Sequence, residues 1–144
     1  MIVEPDADIA ISAKRIAWGK WMNNGQTCLA PDYILTTEPV KKRLVEEMHK
    51  VLKDFYGSDI SASADYSRII NDRHYEYVTI GGKTFQAQRP LLLSVPSCSR
   101  ISSLLDTTDA TVLYKGGERN RSDRFIPPYV LDAKPGDVFM QDEV

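Results

Sequence analysis

Cys28 is the residue with the most evident chemistry. It stands in Asn24-Gly25-Gln26-Thr27-Cys28, a stretch expected to form a loop between a first helix and a short strand. Catalytic groups concentrate on loops held by a rigid scaffold, and a thiolate exposed on such a loop is a good nucleophile. The chain has two histidines, His49 and His74, so a Cys–His hydrolase pair is one arrangement to weigh. His49 falls inside a helical pattern, where a solvated side chain is the simpler account. His74, in Asn71-Asp72-Arg73-His74 at a helix start, could line a polar site or lie on the surface. Gly82-Lys83-Thr84 is similar to the end of a phosphate-binding loop, but that motif requires a glycine five residues before Gly82, where Tyr77 stands. Lys41-Lys42-Arg43 and Arg119, Arg121 and Arg124 read as solvated charge. No metal-ligand pattern is visible, since the histidines are 25 residues apart and neither adjoins a cysteine.

Positioning Cys28 requires flanking elements. Ile9, Ala13, Ile16, Ala17 and Trp21 recur at intervals of three and four, which predicts an amphipathic helix over about residues 7–23. Asp6 or Asp8 can cap it, and Asn24-Gly25 can stop it, because both tolerate the left-handed conformation. Ile2-Val3 and Tyr33-Ile34-Leu35 read as short strands. Pro39 then opens a second helix with an apolar face of Leu44, Met48, Val51, Leu52 and Phe55, an i,i+4 pair of Glu46 with Lys50, and a stop at Gly57. Ile69-Ile70 reads as a further strand, with a third helix starting at Asn71 or Asp72. Strands are expected over Ala110–Tyr114 and Arg124–Leu131, the latter broken at Pro127-Pro128, with a turn at Gly116-Gly117. Alternating strands and helices predict an α/β layer in which the first two helices and the Tyr33 strand pack together.

The chain has 144 residues, about one domain. Leu, Ile, Val and Phe number 36, a quarter of the chain and enough for a real core. A net charge of −2 gives no long-range attraction to nucleic acid or acidic membranes. Two cysteines, Cys28 and Cys98, make no disulfide framework and fit a reducing, cytoplasmic setting. Met1–Asp6 shows neither the basic nor the apolar region of a secretion signal, and Leu91–Val95 is far too short to span a bilayer.

With these residues in hand, a family resemblance is visible. Val3-Glu4-Pro5-Asp6-Ala7-Asp8, Ala13-Lys14-Arg15-Ile16-Ala17-Trp18-Gly19-Lys20 and Met22-Asn23-Asn24-Gly25-Gln26-Thr27-Cys28-Leu29-Ala30-Pro31-Asp32-Tyr33 resemble the aldehyde dehydrogenase superfamily, of the class 3 type that acts on fatty and aromatic aldehydes. Phe55-Tyr56-Gly57, Arg68 to Tyr75, Gly116-Gly117 and Met140-Gln141-Asp142-Glu143 continue the match in order. The resemblance implies a three-layer α/β catalytic domain, here a part of it truncated at both ends. It implies that Cys28 is the nucleophile, that an aldehyde is the substrate, and that NAD or NADP is the cofactor. By the same match, Glu143 would bind the nicotinamide ribose and His74 would lie near the adenosine edge. The full-length family is expected to form homodimers.

Measured against that family, the chain lacks most of the cofactor domain, the asparagine that holds the oxyanion and the glutamate general base. Residues 79–99 interrupt the third helix with Gly81-Gly82, Pro90 and Pro96, a composition that fits no helix, and read as an aberrant insertion. Two functional readings follow. The first is NAD(P)-dependent oxidation of aldehydes to acids through a cysteine thiohemiacetal and thioester. The second is an inactive fragment that serves only as a binding or structural remnant. The Gln26-Thr27-Cys28 context and the collinear matches argue against a thiol hydrolase.

Overall fold

A computed structural model of the chain describes residues 1–72, 75 and 104–140. Helix α1 spans Ile9–Trp21, shorter at each end than the periodicity predicts. Asp8 keeps an extended backbone and caps the helix, its carboxylate accepting the Ile11 N–H at 3.0 Å. That contact satisfies one of the donors that a helix start leaves unpaired. Ile9, Ala13, Ile16, Ala17 and Trp21 are buried, as their spacing requires.

Helix α2 spans Glu38–Tyr56, with Pro39 in its first turn and Gly57 ending it. Its buried face is Val40, Leu44, Met48, Val51 and Leu52, and Phe55 is partly buried at its edge. The two buried faces meet and form one core with Val3, Ile60, Tyr66 and Phe125, so the expected packing of the first two helices is found. Lys50 pairs with Glu47 at 2.7 Å rather than with Glu46. That hydrogen bond is the main reason the Lys50 ammonium is held above its ordinary pKa, and Glu46 adds a smaller electrostatic contribution.

The strands are shorter than expected. Ile2 and Leu35 form a single parallel bridge, in which the Val3 N–H donates to Leu35 O at 3.1 Å and the Leu35 N–H to Met1 O at 2.8 Å. The chain thus makes a β–α–β connection through α1 in miniature, the arrangement that a parallel pair requires. Strand β1, Thr111–Lys115, pairs antiparallel with β2, Tyr129–Asp132, across an irregularity between Val112 and Tyr114. Pro127 and Pro128 are fully buried and precede β2 rather than lying inside it, because proline cannot donate to a ladder. These helices and short strands make up part of an α/β domain.

Ile69-Ile70 is not a strand. The Ile69 N–H reaches Arg124 O at 3.1 Å, and no ladder forms there. Asp72 and Tyr75 are helical, at the start expected for the third helix. The rest of that helix, the 79–99 segment and Cys98 lie outside the described residues. Residues 104–107 are helical again. Among the described residues, no helix is long and apolar enough to cross a membrane.

Two close contacts set the expected response to mutation. Leu52 is wholly buried, so Leu52→Ala removes buried apolar groups and leaves a cavity, at a cost of about 2–5 kcal/mol. A Cβ at Gly116 would lie 2.7 Å from Pro128 Cγ and 3.0 Å from Ile60 Cδ1. Gly116→Ala therefore overpacks the base of the hairpin and costs about 1–3 kcal/mol. Urea denaturation midpoints at constant m-value check both, and wild-type midpoints would contradict this packing.

Candidate active site around Cys28

The site begins with the way the chain leaves α1. Asn23 (φ 55°), Asn24 (φ 55°) and Gly25 (φ 76°) are all left-handed, a conformation that costs most residues about 1–2 kcal/mol each and that asparagine and glycine tolerate best. Three such residues in a row turn the chain sharply through the short 3₁₀ segment Met22–Gly25. The exit is held locally, since the Asn23 amide donates to Gln26 O at 3.3 Å and the Gln26 N–H donates to Asn23 O at 3.1 Å. Cys28 follows in a turn closed by the Ala30 N–H donating to Thr27 O at 3.0 Å. Its thiol is free and exposed.

Two further contacts fix this loop. At its neck, Lys20 Nζ meets Asp32 Oδ1 at 2.9 Å, joining the last turn of α1 to the return segment just past Pro31. Beneath it, the Gln26 side chain reaches the 68–70 backbone. Its Nε2 donates to Asn23 O at 2.9 Å and to Arg68 O at 3.1 Å, and its Oε1 accepts the Ile70 N–H at 3.1 Å. Behind the loop, a cavity of about 350 Å³ opens between the helices and the hairpin, with Trp21, Asn24, Pro31, Met48 and Tyr129 among its walls. The side-chain nitrogen of Asn24 is buried there with no hydrogen-bond partner among the described residues.

Of the residues singled out from the sequence, Cys28 lies exposed on this loop. The His49 ring packs on Tyr114, with centroids 4.9 Å apart, so that exposed side chain serves the contact between α2 and β1. Burial raises the Tyr114 hydroxyl above its ordinary pKa. His74 and Glu143 lie outside the described residues. Lys41 bridges Glu38 and Asp132, each at 2.7 Å, and Arg119 pairs with Asp106 at 2.6 Å, so these cations are spent on structure. Among the described residues, no group of three His, Cys, Asp or Glu side chains could hold a metal.

Sequence reasoning did not pick out Gln26 or the Lys20–Asp32 pair. The run Asn23-Asn24-Gly25 was a signal for a left-handed exit, and Gln26 lies two residues before the cysteine. No spacing rule announces that its side chain crosses to residues more than 40 positions away.

The aldehyde dehydrogenase family model matches residues 1–83. The chain is 54% identical over 143 residues to "Aldehyde dehydrogenase, dimeric NADP-preferring" of Canis lupus familiaris, covering 99% of this chain and 26% of that protein. It is 39% identical over 143 residues to the protein of the same description in Rattus norvegicus, with the same coverage of 99% and 26%. A solved structure described as the substrate-bound state of Staphylococcus aureus AldH is similar at a TM-score of 0.75 and 33% identity, over 99% of this chain and 26% of that one. The chain spans about a quarter of the length of these relatives.

The left-handed exit carries opposite expectations at neighbouring positions. Gly25→Ala forces a Cβ into a left-handed residue, 3.4 Å from Lys20 O, and lowers stability by about 1–2 kcal/mol. Asn24→Gly removes an orphaned buried nitrogen, a defect that costs about 1–3 kcal/mol, against an entropic cost of about 0.4–1 kcal/mol for the added glycine. Its denaturation midpoint should therefore rise. Equal effects at the two positions would contradict the geometry.

Proposed function

The chain belongs to the aldehyde dehydrogenase family, and from that premise we propose that it carries the nucleophile of an NAD- or NADP-dependent oxidation of aldehydes to carboxylic acids. The observation that supports this most is the exposed free thiol of Cys28, held on a loop pinned at both its neck and its floor. In this reading Sγ adds to the aldehyde carbon, the carbonyl oxygen takes up the negative charge, and a thiohemiacetal results. NAD or NADP, when bound to the whole protein, supplies the hydride acceptor. By the resemblance Glu143 and His74 would hold that cofactor in the whole protein; with the hydride removed, the acyl group would remain on Sγ as a thioester until water released the acid and returned the thiol.

The described residues do not form a dinucleotide cradle. A pyrophosphate is typically held at a helix N-terminus behind a glycine-rich turn. Here α1 opens on Asp8 and α2 on Thr37 and Glu38, so acidic side chains stand at both positive helix ends. The residues that the resemblance assigns to the cofactor, His74 and Glu143, lie outside the described region.

The two halves of the reaction therefore separate in the test. Preincubating the 144-residue chain with an aromatic or long-chain aldehyde should slow iodoacetamide labelling of Cys28, and leave Cys98 unaffected, as followed by peptide mass spectrometry. The same chain with aldehyde and NAD or NADP should show no rise in absorbance from reduced cofactor. Positioning a hydride acceptor against the substrate carbon is worth about 7–11 kcal/mol, and that contribution is missing. Labelling indifferent to aldehyde would overturn the nucleophile reading. Aldehyde-dependent cofactor reduction that disappears in Cys28→Ala would overturn the expected inactivity of the isolated chain.

A further inference from the structure

We infer that Gln26 is a positioning residue for the nucleophile, its carboxamide standing in for a neighbouring strand and tying the Cys28 turn to the Arg68–Ile70 backbone. The inference rests on the reading of Cys28 as the nucleophile. The carbonyl of one residue and the N–H two residues on are the pair that one residue of a parallel strand partner normally takes. Gln26 takes this pair itself, Nε2 donating to Arg68 O at 3.1 Å and Oε1 accepting from the Ile70 N–H at 3.1 Å. Its second amide proton goes to Asn23 O at 2.9 Å. Both donor positions of the amide are thus used, together with its acceptor. The other side of the segment is also held, with the Ile69 N–H on Arg124 O at 3.1 Å, so the segment is gripped from two sides although it joins no ladder.

The segment that Gln26 grips is itself firmly anchored. Arg68 Nε meets Asp123 Oδ2 at 2.8 Å, Nη1 donates to Tyr66 O at 2.8 Å, and Nη2 donates to Ser61 O. The same guanidinium lies 4.8 Å from the centroid of the Phe125 ring, and Phe125 is wholly buried. Rigidity therefore passes from the Tyr66–Phe125 core through the Arg68 backbone and the Gln26 amide to a turn only two residues away. Loop groups whose surroundings lock their position hold a reacting atom more closely than free ones do, and displacement by about 1 Å can cost roughly 100-fold in rate.

The experiment compares the parent chain with Gln26→Met, which keeps the length and removes all three bonds, and with Gln26→Glu, which keeps the acceptor for the Ile70 N–H and loses the donors. Two readouts are taken on each: aldehyde protection of Cys28 against iodoacetamide, and amide exchange at Ala30, Ile70 and the core residue Leu52. In Gln26→Met, the aldehyde concentration needed for half-protection should rise at least tenfold. Exchange at Ala30 and Ile70 should quicken at least tenfold while Leu52 is unchanged. In Gln26→Glu, Ile70 should stay slower than in Gln26→Met, while Ala30 exchange quickens and protection of Cys28 falls. Equal acceleration at Leu52 would make Gln26 a merely structural residue and overturn the proposal, as would unchanged protection in both variants. Absence of aldehyde protection in the parent chain would instead overturn the nucleophile reading on which the proposal stands.

Discussion

Close contact between α1 and α2 is the constraint on which the rest of the described structure depends. Ala13 and Ala17 on α1 and Leu52 on α2 have no exposed surface, and small residues at such a seam let two helices approach closely. Ile9, Ile16 and Trp21 extend the seam on one side, and Val40, Leu44, Met48 and Val51 on the other. Once α1 is fixed, its C-terminal end is a fixed point in space. The left-handed exit at Asn23, Asn24 and Gly25 then becomes a directional device, because its sharp turn starts from a rigid base. The strain it stores is the sort that persists only when the surroundings over-determine a conformation, and the neck pair Lys20–Asp32 and the Gln26 side chain are those surroundings.

The loop illustrates how a surface position acquires order without burial. Cys28 and Leu29 are exposed, so packing contributes little to holding them, and hydrogen bonds must do so instead. Gln26 suits this task because one planar amide can both donate and accept along an extended backbone, whereas Lys20 and Asp32 supply only attraction at the neck. That ion pair, about one-fifth exposed on each side, closes the neck. The amide contributes direction as well as attraction. This division of labour leaves the thiol exposed while its backbone is tied from below.

Much of the scaffold was legible in the sequence. Both long helices, an aspartate cap at Asp6 or Asp8 and the stop at Gly57 follow from periodicity and local backbone chemistry, which are properties of neighbouring residues, whereas α1 ends at Trp21, ahead of the expected stop at Asn24-Gly25. Cys28 was legible as a candidate for the same reason, since a thiol in a Gly-Gln-Thr loop between a helix and an apolar stretch is a local pattern. The strands were legible only in part. Tyr33-Ile34-Leu35 has the composition of a strand, but Leu35 pairs only with Ile2 in the described structure. Ile69-Ile70 has two β-branched residues in sequence, yet its backbone partners are a side chain and a single carbonyl. Ladder formation is decided by what lies alongside, and composition carries no record of that. Gln26 escaped notice for a related reason, since nothing local distinguishes a glutamine facing solvent from one that reaches a segment 42 residues on.

The parallel bridge at Ile2 and Leu35 shows the same economy at a second exposed position. Parallel pairs are normally covered on both faces, yet Ile2 is 67% exposed and Leu35 55% exposed, with Tyr33 at 54% beside them. Three large apolar side chains thus crowd one short edge, immediately after the loop that carries Cys28. Such a bridge is held by its backbone hydrogen bonds, Val3 N–H to Leu35 O and Leu35 N–H to Met1 O, rather than by packing of its own side chains. The Cys28 turn follows the same rule, since it too is exposed and is tied through backbone and amide contacts to segments that are anchored in the core.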